Sequence, residues 1–112
     1  MKQEFPARML RIHFGEDDRW QGKPLHEVIL AKCLELGIAE AIVYRGIEGF
    51  GTASRIRHAS HWRLSKDAPI QVSIIDTEAR IARLIPFLDT VVEEGLVAAS
   101  TVDVIRYSRV SG

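Results

Sequence analysis

Apolar and polar side chains alternate along residues 9–14, which places the apolar ones on one side of an extended chain. Residues 70–75 show the same alternation, and residues 41–47 and 102–107 are rich in β-branched and aromatic side chains. Both patterns are typical of β-strands. The sequence therefore predicts four strands, separated by a polar loop at residues 15–22 and by longer segments with a different period.

The segment after the first strand has apolar residues at helical spacing. It begins near Pro24, which is tolerated in the first turn of a helix. It ends at Gly37, a residue type that adopts the left-handed conformation closing a helix. We predict a helix whose buried stripe consists of Leu25, Val28, Ile29 and Leu36.

A second helix is predicted between the third and fourth strands. Asp76 or Thr77 can cap its first turn, and Gly95 is expected to end it. Pro86 lies inside this helix and is expected to kink it, because proline removes a backbone donor. The predicted buried stripe consists of Ile81, Leu84, Ile85, Leu88 and Val92.

The predicted order of elements is β-α-β-β-α-β, an α+β arrangement of the ferredoxin-like type. Right-handed crossovers place the first and third strands in the centre of the sheet and the second and fourth at its edges. The loop after the first strand, the connection between the second and third, and the loop before the fourth then share one end of the sheet.

The connection at residues 48–69 is long for a compact domain, and such connections are usually functional. Part of it, such as residues 56–64, could instead extend the hairpin as strand. The connection is locally positive because its basic residues outnumber its acidic ones. The basic residues are Arg55, Arg57, Arg63 and Lys66, and the acidic ones are Glu48 and Asp67.

Composition narrows the class of protein. The 112 residues fit a single domain, residues 1–112. Fifteen Lys and Arg balance fifteen Asp and Glu, so the chain has no net charge at pH 7. Nucleic-acid-binding domains, in contrast, are usually strongly basic, with a pI above about 9. There is neither an apolar run long enough for a membrane-inserted helix nor a signal-peptide pattern. Cys33 is the one cysteine, which excludes an intrachain disulfide. We expect a cytoplasmic protein that binds no nucleic acid.

Two groups of residues could bind anions. Residues 46–51 contain three glycines, including Gly49 and Gly51, whose backbone N–H groups can approach a phosphate or carboxylate closely. The alternative is a hairpin bulge. Arg106 and Arg109 lie at or after the end of the last strand and could pair with an anion from a neighbouring subunit. Their alternative is an edge strand that charged residues protect from aggregation.

Other chemistry has weaker support. The acidic residues 16–18 could hold a hard cation, but acids before a helix are commonly solvated. His58 and His61 have a spacing that suits a metal only on a helical turn, and Arg57 and Arg63 flank them. No acid–base pair or nucleophilic triad is visible. We therefore expect a protein that is not an enzyme, and binding of a divalent metal stays open as an alternative.

Four blocks of the chain together resemble an uncharacterised family of PII-like proteins, related to the nitrogen-regulatory PII (GlnB-like) signal proteins. The resemblance extends from about Leu10 to Tyr107. The blocks are Gly15-Glu16-Asp17-Asp18-Arg19, Gly22-Lys23-Pro24-Leu25, Arg45-Gly46-Ile47-Glu48-Gly49-Phe50-Gly51 and Leu64-Ser65-x-Asp67-x-Pro69.

The resemblance implies a homotrimer that binds adenine nucleotides in clefts between subunits and contacts partners through a T-loop. The T-loop would be residues 48–67, with Gly49, Phe50 and Gly51 at its base beside the nucleotide. Arg106, and less closely Arg109, match arginines that contact phosphates in PII proteins. Arg55 and Arg57 would face the partner. Genes of this family often neighbour one for a fluoride-exporting channel, which implies a membrane transporter or channel as partner. The same trimeric fold occurs in divalent-metal-tolerance proteins, so the alternative function is a divalent-metal-binding trimer that uses residues 16–18 or His58 and His61.

The chain departs from PII proteins at two places. Residues 95–100 occupy the position of a loop that grips ATP phosphates, but they contain no basic residue. Thr52 follows the Gly-Phe-Gly sequence where PII proteins usually have arginine. We therefore expect no required cofactor, and AMP, ADP or a cyclic nucleotide as the ligand rather than tightly bound ATP.

Overall fold

The computed structural model describes residues 1–49, 57–58 and 68–109. The helices and strands in chain order are β1 (Lys2–Gly15), β2 (Arg19–Trp20), β3 (Lys23–Pro24), α1 (Leu25–Glu35), β4 (Glu40–Arg45), β5 (Glu48–Gly49), β6 (Arg57–His58), β7 (Pro69–Asp76), α2 (Glu78–Val91) and β8 (Leu96–Tyr107).

The main sheet has four antiparallel strands in the order β4-β7-β1-β8. The four predicted strands are β1, β4, β7 and β8, so the expected placement of the first and third strands in the centre is confirmed. With its two helices, the chain has the α+β ferredoxin-like fold that the order of elements predicted. Among the described residues, no helix is long and apolar enough to cross a membrane.

The hydrophobic core lies between one face of this sheet and the two helices. Alternate residues of β1 and β7 point into it because side chains on a strand alternate between faces. The buried residues are Leu10, Ile12, Phe14, Ile70, Val72 and Ile74 from the strands, and Leu25, Ile29, Cys33, Ile81, Leu84, Leu88 and Val91 from the helices. Ile85 was expected in the buried stripe, but it is exposed, because the stripe passes through the neighbouring Leu84 and Leu88.

The helix ends mostly follow the sequence signals. The Thr77 hydroxyl accepts a hydrogen bond from the backbone N–H of Arg80 and caps α2. Gly37 closes α1 with a φ of 71°. Helix α2 continues through Pro86 and ends at Val91, earlier than the expected end at Gly95.

Two strands are longer than predicted. β1 begins at Lys2 and β8 at Leu96, and the two pair continuously from Lys2↔Tyr107 to His13↔Leu96. β7 pairs with β1 only from Arg8 onwards, so Pro6 lies where β1 has β8 alone as its neighbour. Residues 2–7 and 102–107 therefore form a two-stranded arm that extends beyond the rest of the sheet.

The long β8 overturns one expectation of the sequence analysis. Residues 96–100 were placed in a loop matching the phosphate-gripping loop of PII proteins, but they are strand residues paired with His13 to Met9. Their apolar and polar side chains do not alternate, so the sequence pattern did not indicate a strand there. Gly95 remains before the strand, where an added Cβ would lie 2.5 Å from the His13 carbonyl oxygen.

The loop after β1 also contains structure that was not predicted. β2 and β3 pair as Arg19↔Pro24 and Trp20↔Lys23. The two residues between them, Gln21 and Gly22, have φ angles of 50° and 81°. Positive φ at both central residues is typical of the type I′ turn that joins short hairpins.

Candidate functional site

Three connections meet at the end of the sheet where β1 ends, as predicted. Gly15 pairs with Pro69 at the start of β7. The backbone N–H of Glu16 donates to the Ala68 carbonyl, 2.7 Å away, and the N–H of Gly46 donates to the Pro69 carbonyl, also 2.7 Å away. We call this end of the sheet the rim. The chain that returns from the T-loop-like connection is thus bonded to both neighbouring strands.

An ion pair lies across the rim. Arg45 Nε donates to Glu16 Oε2 at 2.9 Å, and Arg45 Nη2 donates to Glu16 Oε1 at 3.0 Å. This bidentate arrangement matches the planar guanidinium to the carboxylate. The hydrogen bond that Arg45 donates to Glu16 raises the pKa of Arg45 further above its ordinary value. Sequence reasoning missed this pair, because the partners are 29 residues apart and Glu16 was grouped with its acidic neighbours.

The base of the T-loop-like connection begins directly after this ion pair. β5 and β6 form a short hairpin in which Glu48 pairs with His58 and Gly49 with Arg57. The expectation that part of the connection extends the hairpin is thus confirmed for Arg57 and His58. Phe50, Gly51 and Arg55, which were predicted for the nucleotide site and the partner surface, lie outside the described residues.

Gly46 shows why the rim needs a glycine at its position. An added Cβ would lie 2.7 Å from Pro69 Cγ and 3.3 Å from the Pro69 carbonyl oxygen. Contacts shorter than 3 Å between a Cβ and a ring carbon require one of them to move. Gly46 is the first of the three glycines in residues 46–51, and the neighbour that requires a glycine there is Pro69 of the same chain.

The two predicted arginines lie at the other end of the sheet. Arg106 is opposite Gln3, near the tip of the arm and twelve residues from Gly15 at the rim, and Arg109 follows β8. Since a strand rises about 3.3 Å per residue, Arg106 is roughly 40 Å along the sheet from the rim. One chain therefore does not bring Gly49 and the two arginines together. A site that uses both groups requires a second copy.

The arm tip is basic and open. Met1, Lys2, Tyr107, Ser108 and Arg109 line a cavity of about 390 Å³. The Ser108 N–H donates to the Met1 carbonyl at 2.9 Å, which joins the two ends of the arm. Lys2 also forms an ion pair of 3.3 Å with an exposed glutamate.

The charged side chains at this tip favour the binding of anions. Lys2 is paired with Glu4, so its charge is partly compensated. In the part of the chain that the structure describes, no carboxylate pairs with Arg106 or Arg109. Two uncompensated guanidinium groups therefore stand near the tip, and guanidinium binds phosphates through planar bidentate contacts.

The residues considered for a metal do not form a cluster in the described ranges. No group of three or more His, Cys, Asp or Glu in residues 1–49, 57–58 and 68–109 is arranged to hold an ion. The Glu16 carboxylate is held by Arg45, and Asp18 Oδ2 accepts from the Gly15 N–H at 3.1 Å. His61 lies outside the described residues.

Cys33 is placed as predicted, inside a helix and in the core. Its side chain is 2% exposed. Burial raises the pKa of the Cys33 thiol from 9.0 to about 11. Because the thiolate is the nucleophile and the neutral thiol is favoured here, Cys33 has a packing role.

Sequence comparison identifies the family. Residues 7–104 match DUF190, which is described as Uncharacterized ACR. The chain belongs to the DUF190 family. It is also 35% identical over 100 residues to a UPF0166 protein of Aquifex aeolicus, a match that covers 88% of this chain and 92% of that protein. The resemblance to an uncharacterised PII-like family is confirmed.

Solved structures relate the DUF190 chain to PII proteins in fold. The structure of CPII bound to ADP and bicarbonate, from Thiomonas intermedia K12, is similar with a TM-score of 0.67, at 15% identity and over 91% of both chains. The GlnK–ATP complex of Bacillus subtilis is similar with a TM-score of 0.55, at 8% identity, covering 87% of this chain and 82% of that one. At these identities the likeness establishes the fold.

Proposed function

We propose that this protein is a non-catalytic PII-like regulatory protein that binds an adenine nucleotide between the subunits of a homotrimer. The observation that carries the proposal is the shared fold with CPII, whose structure was determined with ADP bound. The similarity covers 91% of both chains, so it extends over most of the fold rather than an isolated motif.

The distance between the glycine-rich segment and the two arginines supports a site between subunits. Gly49 lies at the rim, whereas Arg106 lies near the tip of the arm, at the opposite end of the same chain. A nucleotide that contacts both groups must therefore lie between two copies. In this proposal the backbone N–H groups of Gly49, Phe50 and Gly51 face the nucleotide, and Arg106 and Arg109 from another copy neutralise its phosphates.

Exposed apolar surface supports self-association. The helices pack on β1, β7 and β4, which leaves β8 at the edge of the sheet without a covering layer. β8 exposes Leu96, Val97, Ile105 and Tyr107, and β4 exposes Ile42 and Tyr44. A long edge strand with few charges is a template for pairing with another chain. A homotrimer would cover this surface and bring arm and rim of different copies together.

The proposed output is a change in the T-loop-like connection, residues 48–67. A ligand shifts a conformational equilibrium only by as much as it prefers one state, and a nucleotide at the base of this connection touches its first residues. Arg55 and Arg57 would then present a basic surface to a partner protein. The resemblance to PII-like proteins suggests a membrane transporter or channel for that role.

A thermal-shift screen of the purified protein tests the ligand class. The panel contains AMP, ADP, ATP, cyclic AMP, Mg²⁺ and Zn²⁺. A ligand at 100 times its Kd stabilises the folded state by about 2.7 kcal/mol, which raises the melting temperature measurably. We expect a rise with AMP, ADP or cyclic AMP that is larger than the rise with ATP. The proposal would be contradicted if only a metal ion raised the melting temperature, or if none of the compounds did.

A further inference from the structure

Glu16 and Arg45 form the bidentate ion pair of the rim, and their position in the sheet gives it a specific geometry. Arg45 is the last residue of β4, and Glu16 directly follows β1. β7 lies between these two strands in the sheet. The ion pair therefore bridges the start of β7, the point at which the chain returns from the T-loop-like connection.

Backbone hydrogen bonds reinforce the same point from both sides. The residue that supplies the carboxylate also donates its own N–H to Ala68, and the residue after Arg45 donates its N–H to Pro69. Ala68 is fully buried. We call the Glu16–Arg45 pair and these two backbone hydrogen bonds the rim clamp. It fixes the start of β7 relative to both of its neighbours.

The rim clamp also controls where the connection begins. Only Gly46 and Ile47 separate Arg45 from β5, whose Glu48 and Gly49 pair with the returning strand β6. Gly46 is held beside Pro69 by its 2.7 Å backbone hydrogen bond, at a place where an added Cβ would lie only 2.7 Å from Pro69 Cγ. The direction in which the backbone of Gly49 leaves the sheet is thus set by the residues of the clamp.

We propose that Glu16 and Arg45 are positioning residues for the ligand site at the base of the T-loop-like connection. This inference rests on the proposed function for the identity of the ligand. The clamp holds the backbone of residues 46–49 in the orientation that binds, so its loss lowers ligand affinity. The rim clamp thus links Glu16, in the loop after β1, to the T-loop-like connection, which is distant from Glu16 in sequence.

Hydrogen exchange measured by NMR tests the clamp without any ligand. In Glu16→Gln the side chain keeps its shape and loses its charge. We expect the amides of residue 16 and Gly46 to exchange about two- to fivefold faster than in the wild type, the range for loss of a partly exposed ion pair. The amide of Val92, which donates to Leu88 in α2, serves as a reference and should be unchanged.

Two further variants separate the ion pair from a general loss of charge. Glu35→Gln removes an exposed carboxylate from the Lys32–Glu35 pair on α1 and should leave exchange at the rim unchanged. The charge-reversed double variant Glu16→Arg with Arg45→Glu should restore slow exchange that each single reversal loses. Unchanged exchange in Glu16→Gln, or failure of the double reversal to restore it, would overturn the clamp.

Titration with ADP tests the consequence for the site. We expect Glu16→Gln to weaken ADP binding about two- to fivefold, in line with the loss of the clamp. Equal or tighter binding would overturn the positioning role, since tighter binding means that Glu16 competes with the ligand for Arg45. If the wild type itself does not bind ADP, the proposed function fails while the exchange experiment still decides the clamp.

Discussion

Asp76 at the end of β7 accepts a hydrogen bond at Oδ2 from the backbone N–H of Ala39, 2.8 Å away, just before β4 begins. Its other oxygen accepts from the N–H of Thr77 at 2.6 Å, and Arg80 Nη1 lies 3.6 Å from Oδ2. Asp76 is buried, and this set of donors compensates its charge. One carboxylate thus joins the start of β4 to the first turn of α2.

Replacing this carboxylate should destabilise the protein. Asp76→Ala leaves the N–H groups of Ala39 and Thr77 without their acceptor, and hydrogen bonds to charged groups contribute about 1.5–3 kcal/mol each. We expect the free energy of unfolding to fall by about 2–3 kcal/mol in urea denaturation. Asp89→Ala, on the exposed side of α2, serves as the control and should have little effect. Equal stability of the two variants would show that Asp76 is not a structural link.

Two leucines provide a matched test of the core. Leu84 in α2 is fully buried, whereas Leu34 in α1 is 84% exposed. Truncation of a buried leucine to alanine removes apolar contacts and leaves a cavity, which costs about 2–5 kcal/mol. Leu84→Ala should lower the free energy of unfolding by that amount. Leu34→Ala should change it by less than about 0.5 kcal/mol, because exposed positions away from special features are tolerant.

Cys33 predicts a dependence of stability on pH. Burial raises the pKa of the folded thiol from its ordinary value of 9.0 to about 11, so the unfolded chain releases this proton at lower pH than the folded one. The contribution of the buried neutral thiol to the free energy of unfolding is fully present below pH 9, and it decreases as the pH rises from 9 toward 11. Urea unfolding under reducing conditions at pH 7, 9 and 10 should show a steeper decline in the wild type than in Cys33→Ala. Parallel pH profiles would contradict the burial of the thiol.

The sequence allowed most of the fold to be predicted, because its signals are local. The alternation in β1 and β7, the Thr77 cap and the left-handed Gly37 each depend on a few neighbouring residues. Their order then restricted the topology, and the resemblance to PII-like proteins led to the same arrangement. The starts of the long strands β1 and β8, the β2–β3 hairpin and the end of α2 were not predicted, because no local pattern marks them.

The candidate site could be predicted only in part. The glycine-rich segment beginning at Gly46 was found, since three glycines in six residues are visible in the sequence. The Glu16–Arg45 pair was not, because its partners meet only when β1, β7 and β4 assemble into one sheet. The separation of Arg106 from the rim depends likewise on the register of β1 and β8, which no local signal specifies.

Isothermal titration of ADP into three proteins tests the central claim, that this chain binds an adenine nucleotide with its arm arginines. The proteins are the wild type, Arg106→Ala and the control Arg83→Ala, which removes an exposed arginine of α2. We predict saturable binding by the wild type and by Arg83→Ala, and binding weaker by about tenfold or more in Arg106→Ala, because a charge-assisted contact to phosphate is lost. No binding by the wild type, or equal affinity in all three proteins, would contradict it.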